Sequence, residues 1–520
     1  MSLRYVLLFV LSAGAFAGVA RAQLTLLDPT FGNNGFVLQG LSGSGGDTGE
    51  DVIIQPDGRI IVVGKRGGVE EDLAVLRFLQ NGVLDNSFSG NGIATVGIGV
   101  NAVGFAVALQ GDGSIVVGGS AEFPGGSFDE ITFARFTMEG TLDTTFSGNG
   151  VFTFTQPGAS DAVRAIAMQP DGKILAAGNF DGAVSDMMAV RLTPEGALDP
   201  DFATGGIFNT DLQTGEVVED MLLRPDGRIL LVGAWRLTLP DADMAMLQLD
   251  AYGVPDPTFG VAGLFRPTEV NSTSSVVTAV EAGSGRVLIV GKRYIPGGNP
   301  EEVFTGRVLA DGTWDSSYGT GGRSFLPLGS GYEGAVRDMV LLPGGKALVS
   351  VDVLDIEGNS LIMVLRVLPD GGLDPMFGVS GRVVMPCPDA RCDVRSLALD
   401  GQGRVIAVGS YGSIDSPEIM VMRWLAEAST VGEAAREATG TLRAYPVPAS
   451  DVLQLDIPAE WQANARLELR DGCGKLVLIL DDPGMVRQRF ELPSSLVDGR
   501  YLLRLVSGTR VLTAPVIVVR

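Results

Sequence analysis

The stretch Leu84-Asp85-Asn86-Ser87-Phe88-Ser89-Gly90-Asn91-Gly92, read with Gln55-Pro56-Asp57-Gly58-Arg59 upstream of it, is one unit of a tandem repeat. The box Leu-Asp-x-x-Phe, or a near copy, places its acid at Asp28, Asp85, Asp143, Asp199, Asp256, Asp315 and Asp374, with successive gaps of 57, 58, 56, 57, 59 and 59 residues. A period that regular means stacked copies of one supersecondary unit.

Within a unit, Asp51 to Gln55 and Arg59 to Lys65 are β-branched apolar runs around Pro56-Asp57-Gly58, which predicts a hairpin. Pro suits the first position of a type I turn, and Gly supplies the left-handed residue. The turn recurs at Pro170-Asp171-Gly172 and Pro225-Asp226-Gly227, and in altered form at Asp112-Gly113, Ser284-Gly285, Gly344-Gly345 and Gln402-Gly403. A second hairpin is expected from Leu73 to Leu79, a loop Gln80-Asn81-Gly82, and Val83 to Phe88. Four short strands per unit result, and radial packing of such sheets gives a β-propeller. The chain starts with a lone outer-strand unit, Leu27 to Leu38, and the array ends on a third strand, Glu418 to Leu425, that lacks its fourth. Pairing these two gives seven blades and no free edge.

An Arg lies eight residues before the boxed Asp at Arg77 and Asp85, Arg135 and Asp143, Arg191 and Asp199, Arg307 and Asp315, and Arg366 and Asp374, with Gln248 standing before Asp256. The expected hairpin sets each Arg opposite its Asp as a cross-strand pair. In the seventh blade the same geometry pairs Arg423 with Asp28 from the other end of the array.

Arg4, the apolar run from Tyr5 to Ala20, and Ala20-Arg21-Ala22 have the layout of a secretory signal peptide over residues 1–22. The propeller is expected over 23–425, and residues 426–440, small, polar and acidic, are expected as a linker. Short alternating strands over 441–520 predict a separate, small all-β sandwich domain. No later apolar run has the roughly 18 residues of a membrane-spanning helix. Without Arg4 and Arg21 the balance is 36 basic against 61 acidic side chains, a net charge of −25, which disfavours nucleic acid as a partner. Cys387 and Cys392 are candidates for a small disulfide, with a metal pair as the alternative, and Cys473 stands alone.

The unit, carried by Leu84 to Gly92, Gln55 to Arg59 and Ala74-Val75-Leu76-Arg77-Phe78, resembles the bacterial delta-60 repeat over about residues 27–425. The segment Tyr445-Pro446-Val447-Pro448-Ala449-Ser450-Asp451, with Gly499-Arg500-Tyr501-Leu502-Leu503, resembles a type IX secretion system sorting domain. Val447 stands where that family has Asn. The resemblance marks Tyr445, Pro446, Pro448, Gly499 and Tyr501 as sorting-domain residues. It implies Sec export, the type IX secretion machinery as partner, and a destination outside a Gram-negative cell, released or on the outer surface.

There is no histidine among the 520 residues, so Ser-His-Asp and Cys-His catalysis and imidazole zinc sites are closed to a single copy of the chain. Chemistry by carboxylates alone stays open. The candidate site is a recurring acid five residues before each Arg: Asp72, Glu130, Asp186, Asp243, Glu302 and Glu418, with Leu361 breaking the series. Each is expected at the end of the loop joining second and third strands, on one face of the disc, with Phe123, Phe128, Phe180, Trp235, Tyr294 and Tyr411 in nearby loops. A cation such as Ca²⁺, or sugars stacked on aromatic rings, suits such a face; the alternative is a solvated strand-start acid, copied with the repeat. No cofactor is implied. The function expected is an exported binding, adhesion or scaffold propeller for a glycan, peptide or protein, against a carboxylate-dependent extracellular polysaccharide hydrolase.

Overall fold

In the computed structural model the described residues are 26–41, 46–125, 129–154, 160–181, 185–210, 215–238, 241–267, 273–294, 302–329, 331–387, 391–413 and 415–425, followed by 443–445, 452–456, 466–471, 476–481, 487–491, 499–507 and 510–518. The expected leader (1–22), the linker (426–440) and Phe128 lie outside them. The chain divides into two compact units, Met1–Ala428 and Ser429–Arg520. Among the described residues no helix is long and apolar enough to cross a membrane.

The first unit is an all-β propeller of seven four-stranded sheets. Blades 1 to 6 span residues 48–96, 101–154, 160–209, 216–265, 273–326 and 333–386, and each lays its strands side by side in chain order, antiparallel. Blade 7 consists of Arg391–Leu399, Arg404–Ser413 and Ser416–Leu425, with Phe36–Gln39 hydrogen-bonded to the last in the register Phe36↔Met422 to Gln39↔Ile419.

The second and third strands carry near-continuous apolar runs because a neighbouring blade covers each of their faces. In Ile60–Arg66 and Asp72–Phe78 almost every side chain is buried. The core is accordingly a series of wedges. Each apolar cluster draws on two adjacent blades, as where Ile61, Val63 and Val75 of blade 1 meet Val107, Val117 and Phe136 of blade 2.

The outer strand does not come from the segment expected for it. Val83 to Asp85 pairs back on Arg77 to Leu79, ending with the Asp85 amide on the Arg77 carbonyl at 2.8 Å, and the chain then turns away. The outer strand of blade 1 is Ile93–Val96, paired with Leu73 to Leu76. The cause is the box. Asp85 takes the Ser87 amide on its side chain and the Phe88 amide on its carbonyl. Ser89, Gly90 and Gly92, all at positive φ, then reverse the chain. A boxed Asp starts a tight turn more readily than it continues a strand.

Each inner strand carries a bulge, with Glu50, Phe105, Arg164, Glu219, Val277, Arg337 and Arg395 as the extra residues. In six blades the second strand answers with glycine, as at Gly64 and Gly233, where a Cβ would lie 1.9 Å from an inner-strand carbonyl oxygen. Blade 6 has Val351 at this place.

The second unit contains a three-stranded sheet of Arg443–Tyr445, Val452–Asp456 and Arg487–Glu491. It also contains a four-stranded sheet ordered Leu476–Asp481, Arg466–Asp471, Gly499–Ser507, Arg510–Val518.

Candidate functional site

The repeated Arg and Asp meet in every blade that has both. Arg Nε donates to the Asp carboxylate at 2.8 Å for Arg77 and Asp85, 2.8 Å for Arg135 and Asp143, and 2.6 Å for Arg191 and Asp199. The distances are 2.7 Å for Arg307 and Asp315, 2.9 Å for Arg366 and Asp374, and 2.9 Å for Arg423 and Asp28. Three further features of this clasp were not foreseen. The guanidinium stacks on the aromatic ring of the same box, as Arg77 on Phe88 at 4.7 Å and Arg423 on Phe31 at 4.8 Å. It donates to a carbonyl of the next blade, Arg77 to Met138, Arg191 to Ala251 and Arg423 to Gln80. A second cation approaches the carboxylate from the hairpin turn: Arg59, Lys173, Arg228, Arg286, Lys346 or Arg404. The sequence carried that signal, a basic residue directly after the turn glycine in six units, with Ser114 in blade 2.

Blade 4 performs an exchange. Where blades 1 to 3 have Gln55, Gln110 and Gln169 before the turn, it has Arg224, and where they have Arg it has Gln248. Arg224 donates to Gln248 at 2.8 Å and to the Gly285 carbonyl of blade 5 at 2.6 Å, and Gln248 donates to Asp256 at 2.8 Å. The cation reaches the same pocket from the other strand.

These carboxylates are held as anions. Burial opposes ionisation of Asp256, but the Thr258 hydroxyl and amide, Gln248 and Arg228 outweigh it and hold its pKa at about 2. At Asp315 the Ser317 hydroxyl leads, with Arg307 adding to it, and the value is again about 2. Burial also opposes ionisation of Asp28, and Thr30 and Arg423 overcome it.

The acid series expected to form a binding face starts the third strands and stands one to a blade. Asp72 pairs with Arg66, and Glu302 with Arg293 at 2.6 Å. Asp243 is buried, Glu130 and Asp186 are half-buried, and Glu418 is exposed. Of the expected aromatic platform, Phe123 lies in the loop after Ile115–Glu122 and the other described rings do not lie in loops. Phe180, Trp235, Tyr294 and Tyr411 are strand residues; Phe180 and Trp235 are buried at 2% and 9% exposure, and Tyr294 is exposed. Arg266 covers Trp235 at 4.6 Å from its ring. Among the described residues no group of three or more acidic or cysteine side chains is placed to hold a metal ion.

Cys387 and Cys392 form a disulfide, with Cα atoms 6.0 Å apart, across the connection from blade 6 to blade 7. Of the residues marked by the type IX resemblance, Tyr445 lies in Arg443–Tyr445, and Gly499 and Tyr501 lie in Gly499–Ser507. Pro446 and Pro448 lie outside the described residues.

Sequence reading placed the inner strand of blade 1 at Asp51 to Gln55 but missed its start at Thr48 and the bulge at Glu50, because a bulge breaks the period of two on which it relies. The seven bulge residues are equivalent positions on the innermost strands, which surround the axis of a propeller, and two neighbouring pairs touch: Arg395 of blade 7 pairs with Glu50 of blade 1, and Arg164 of blade 3 stacks on Phe105 of blade 2 at 5.0 Å. Blades 6, 7 and 1 form a charged arc here. Arg337 holds Asp352 at 2.6 Å, and Arg395 lies 3.3 Å from Asp393 as well as against Glu50. Burial, reinforced by Asp393, lifts the Asp352 pKa to about 6 although Arg337 opposes the shift.

The next residue along each inner strand forms a second belt, and three of the seven are aspartates. Asp51 accepts from the Val107 amide of blade 2 at 2.9 Å and the Ser396 hydroxyl of blade 7 at 2.7 Å. Asp220 accepts from the Thr278 hydroxyl at 2.7 Å and the Ala279 amide at 3.1 Å, both of blade 5. Asp338 accepts from the Leu397 amide of blade 7 at 2.6 Å. Burial drives the pKa of Asp51 up to about 6 and that of Asp338 to about 8, and raises Asp220; the other belt carboxylates add to the effect at Asp51 and Asp338.

Seven radial sheets, a repeated box clasp and a varied channel wall define a propeller built by duplication. Residues 55–88, 110–146 and 169–202 match the domain of unknown function DUF5122, a beta-propeller, and residues 150–185 match the WD domain, G-beta repeat. The chain is a propeller repeat protein. No curated protein matches it. Solved structures similar to it include a protein of unknown function from Dyadobacter fermentans, 13% identical, with a TM-score of 0.38 over 76% of this chain and 99% of that one. A GH93 alpha-L-arabinofuranosidase of Fusarium graminearum, in complex with arabinobiose, is 12% identical with a TM-score of 0.40 over 61% and 92%. Trypanosoma rangeli sialidase is 10% identical with a TM-score of 0.34 over 82% and 86%.

Proposed function

We propose that this protein is an exported propeller that binds a glycan or protein ligand at the mouth of its axial channel. One observation carries the reading. Duplication supplies seven structurally equivalent positions for every residue, and at the bulge the seven are Glu, Phe, Arg, Glu, Val, Arg and Arg, whereas the boxed Asp is the same in all seven units. A position under structural demand stays uniform among the copies; a position that recognises something once differentiates. Arrays of glycans and of outer-surface proteins probed with the full chain test this. Arg164→Ala, Glu219→Ala and Arg337→Ala are each expected to weaken the ligand found by tenfold or more, and undiminished binding by all three overturns the channel as the site.

The same reading takes Phe36–Gln39 as the strand that closes the ring and residues 441–520 as a β-sandwich that delivers the protein through the type IX machinery to the outer surface or medium. The resemblance around Tyr445 and Tyr501 supports delivery. Deletion of 441–520 is expected to retain the propeller in the periplasm, and normal surface delivery of that truncation refutes the assignment.

A second reading, a carboxylate-dependent polysaccharide hydrolase, has one observation in its favour: Asp352, with its pKa near 6, beside Asp393 at the channel. Both Asp352 oxygens already accept, from Val394 at 3.0 Å and Arg337 at 2.6 Å, so binding is the stronger reading. Polysaccharide cleavage that Asp352→Asn abolishes while binding persists reverses this order.

A further inference from the structure

The belt aspartates do something the box aspartates do not: each reaches across a blade seam to a backbone amide, and among the described residues none has an ion pair. Asp51 ties blade 1 to blades 7 and 2, Asp220 ties blade 4 to blade 5, and Asp338 ties blade 6 to blade 7. Blades 1, 4 and 6 stand three, two and two steps apart around the ring, the nearest to a threefold distribution that seven blades permit. We propose that these three carboxylates form a proton-operated clamp, in which protonation holds the inner strands together and loss of protons loosens the seams.

Three separate features support it. Each carboxylate accepts from the amide that follows it in its own strand, Val52, Met221 or Met339, and also from the neighbouring blade, so a change in its charge is felt at a seam as well as within its sheet. The alternative occupants of this level are small and uncharged, Ala106, Ala165, Thr278 and Ser396, so no cation is built in to hold an anion. Most of the charges around the belt are already committed or of the same sign. On the inner strands Arg395 is taken by Glu50 and Asp393, and Arg337 by Asp352. Arg164 lies over Phe105, and Glu219 adds a negative charge beside Asp220. On the second strands Lys65 is paired with Glu71, Arg293 with Glu302, and Lys292 stands at the rung of Ser275. The three are half-buried; an ionised carboxylate withdrawn from water without a cation beside it is disfavoured, and three of them repel one another. The raised pKa values agree in direction: the protonation states change between mildly acidic and mildly alkaline pH.

Hydrogen exchange of the full-length protein between pH 5 and 8.5, corrected for the intrinsic pH dependence of exchange, reads the seams directly. The Val107, Ala279 and Leu397 amides are expected to lose protection by about ten- to a hundredfold as pH rises, one to two pK units of linkage. Ile166, which follows a belt alanine in blade 3, is expected to change little. Asp338→Ala copies what blades 2 and 3 already carry and is expected to remove the pH dependence at Leu397 alone. If that variant does not fold, Asp51→Asn read at Val107 replaces it. Flat protection at all three amides, an equal loss at Ile166, or an unchanged pH dependence at Leu397 in Asp338→Ala overturns the clamp.

Discussion

The propeller uses aspartate at two radii to opposite effect. At the outer level every blade places one in a turn: in six blades against an arginine stacked on the aromatic ring of the box, with a second cation in five of them, and in blade 4 against Gln248 and Arg228. At the inner level three blades place one against backbone amides and hydroxyls with no cation. The outer carboxylates are pulled down, to about 2 at Asp256 and Asp315, and the inner ones are pushed up, to about 6 at Asp51 and 8 at Asp338. Burial acts in the same sense at both levels; the partner decides the sign. The outer level is therefore uniform scaffolding, and the inner level is where blades differ.

The contrast predicts its largest effect where an outer clasp joins the two ends of the propeller. Arg423 and Asp28 are buried and lie 395 residues apart in sequence, and the pair donates onward to blade 1 through the Gln80 carbonyl. Removing Asp28 leaves the buried Arg423 guanidinium uncompensated, at a cost of about 3–5 kcal/mol; removing Arg423 still leaves Arg404 3.6 Å from Asp28 and should cost less. Asp28→Ala and Arg423→Ala, measured singly and together by denaturant unfolding, should lose less together than the sum. Strictly additive losses would show that the two do not act as a pair.

Blade 4 sharpens the same point at a smaller scale. Arg224→Gln removes the cation from the pocket and should cost about 2–3 kcal/mol, less than at the closing pair because Arg228 still faces Asp256. Adding Gln248→Arg restores the arrangement of blades 1 to 3 and should recover most of that loss. A double variant no more stable than Arg224→Gln alone would mean that the exchange is not a coupled one.

The two levels also separate by pH. A lowered Asp pKa contributes stability present above the unfolded value near 4 and lost as pH falls through the folded value, so Asp256 should lose roughly 2–3 kcal/mol between pH 4 and 2. A raised Asp pKa works the other way: its contribution is full below pH 4 and lost as pH rises through about 6 for Asp51 and 8 for Asp338. Stability should peak in mildly acidic solution. A profile that climbs steadily from pH 4 to pH 8 would contradict the inner half of the comparison.

How much of this was legible in the sequence follows from the same division. The outer level is local and repeated: the eight-residue spacing of Arg and Asp, the turn glycines and the box are all short-range signals, and even the blade 4 exchange is visible once Gln248 is set beside Arg224. The inner level is neither. A bulge shifts the side-chain alternation by one residue, so Glu50 and Asp51 look like ordinary strand neighbours, and their partners Arg395, Ser396 and Val107 lie in other blades. The outer strand was misplaced for a related reason: Val83 to Phe88 has strand composition, and only the side-chain bonds of Asp85 show that it is a turn.

The smallest effect distinguishes the two cations of one outer clasp. Asp374 is held by Arg366 from the third strand and Lys346 from the hairpin turn, both at 2.9 Å, so distance alone ranks them equal. Their surroundings do not. The Arg366 side chain is 7% exposed and stacks on Phe377 at 4.6 Å, whereas that of Lys346 is 37% exposed. Solvent screens the lysine and lets it leave without stranding a charge, because Arg366 still neutralises the carboxylate. Lys346→Met should cost less than about 1 kcal/mol, and Arg366→Met should cost several times more, since it removes the ring contact and the buried partner together. Raising the salt concentration should diminish the lysine contribution and barely touch that of the arginine. Equal losses in the two variants would mean that the outer level depends on total charge around the carboxylate rather than on which cation is buried, and its distinction from the inner level would then rest on cation number alone.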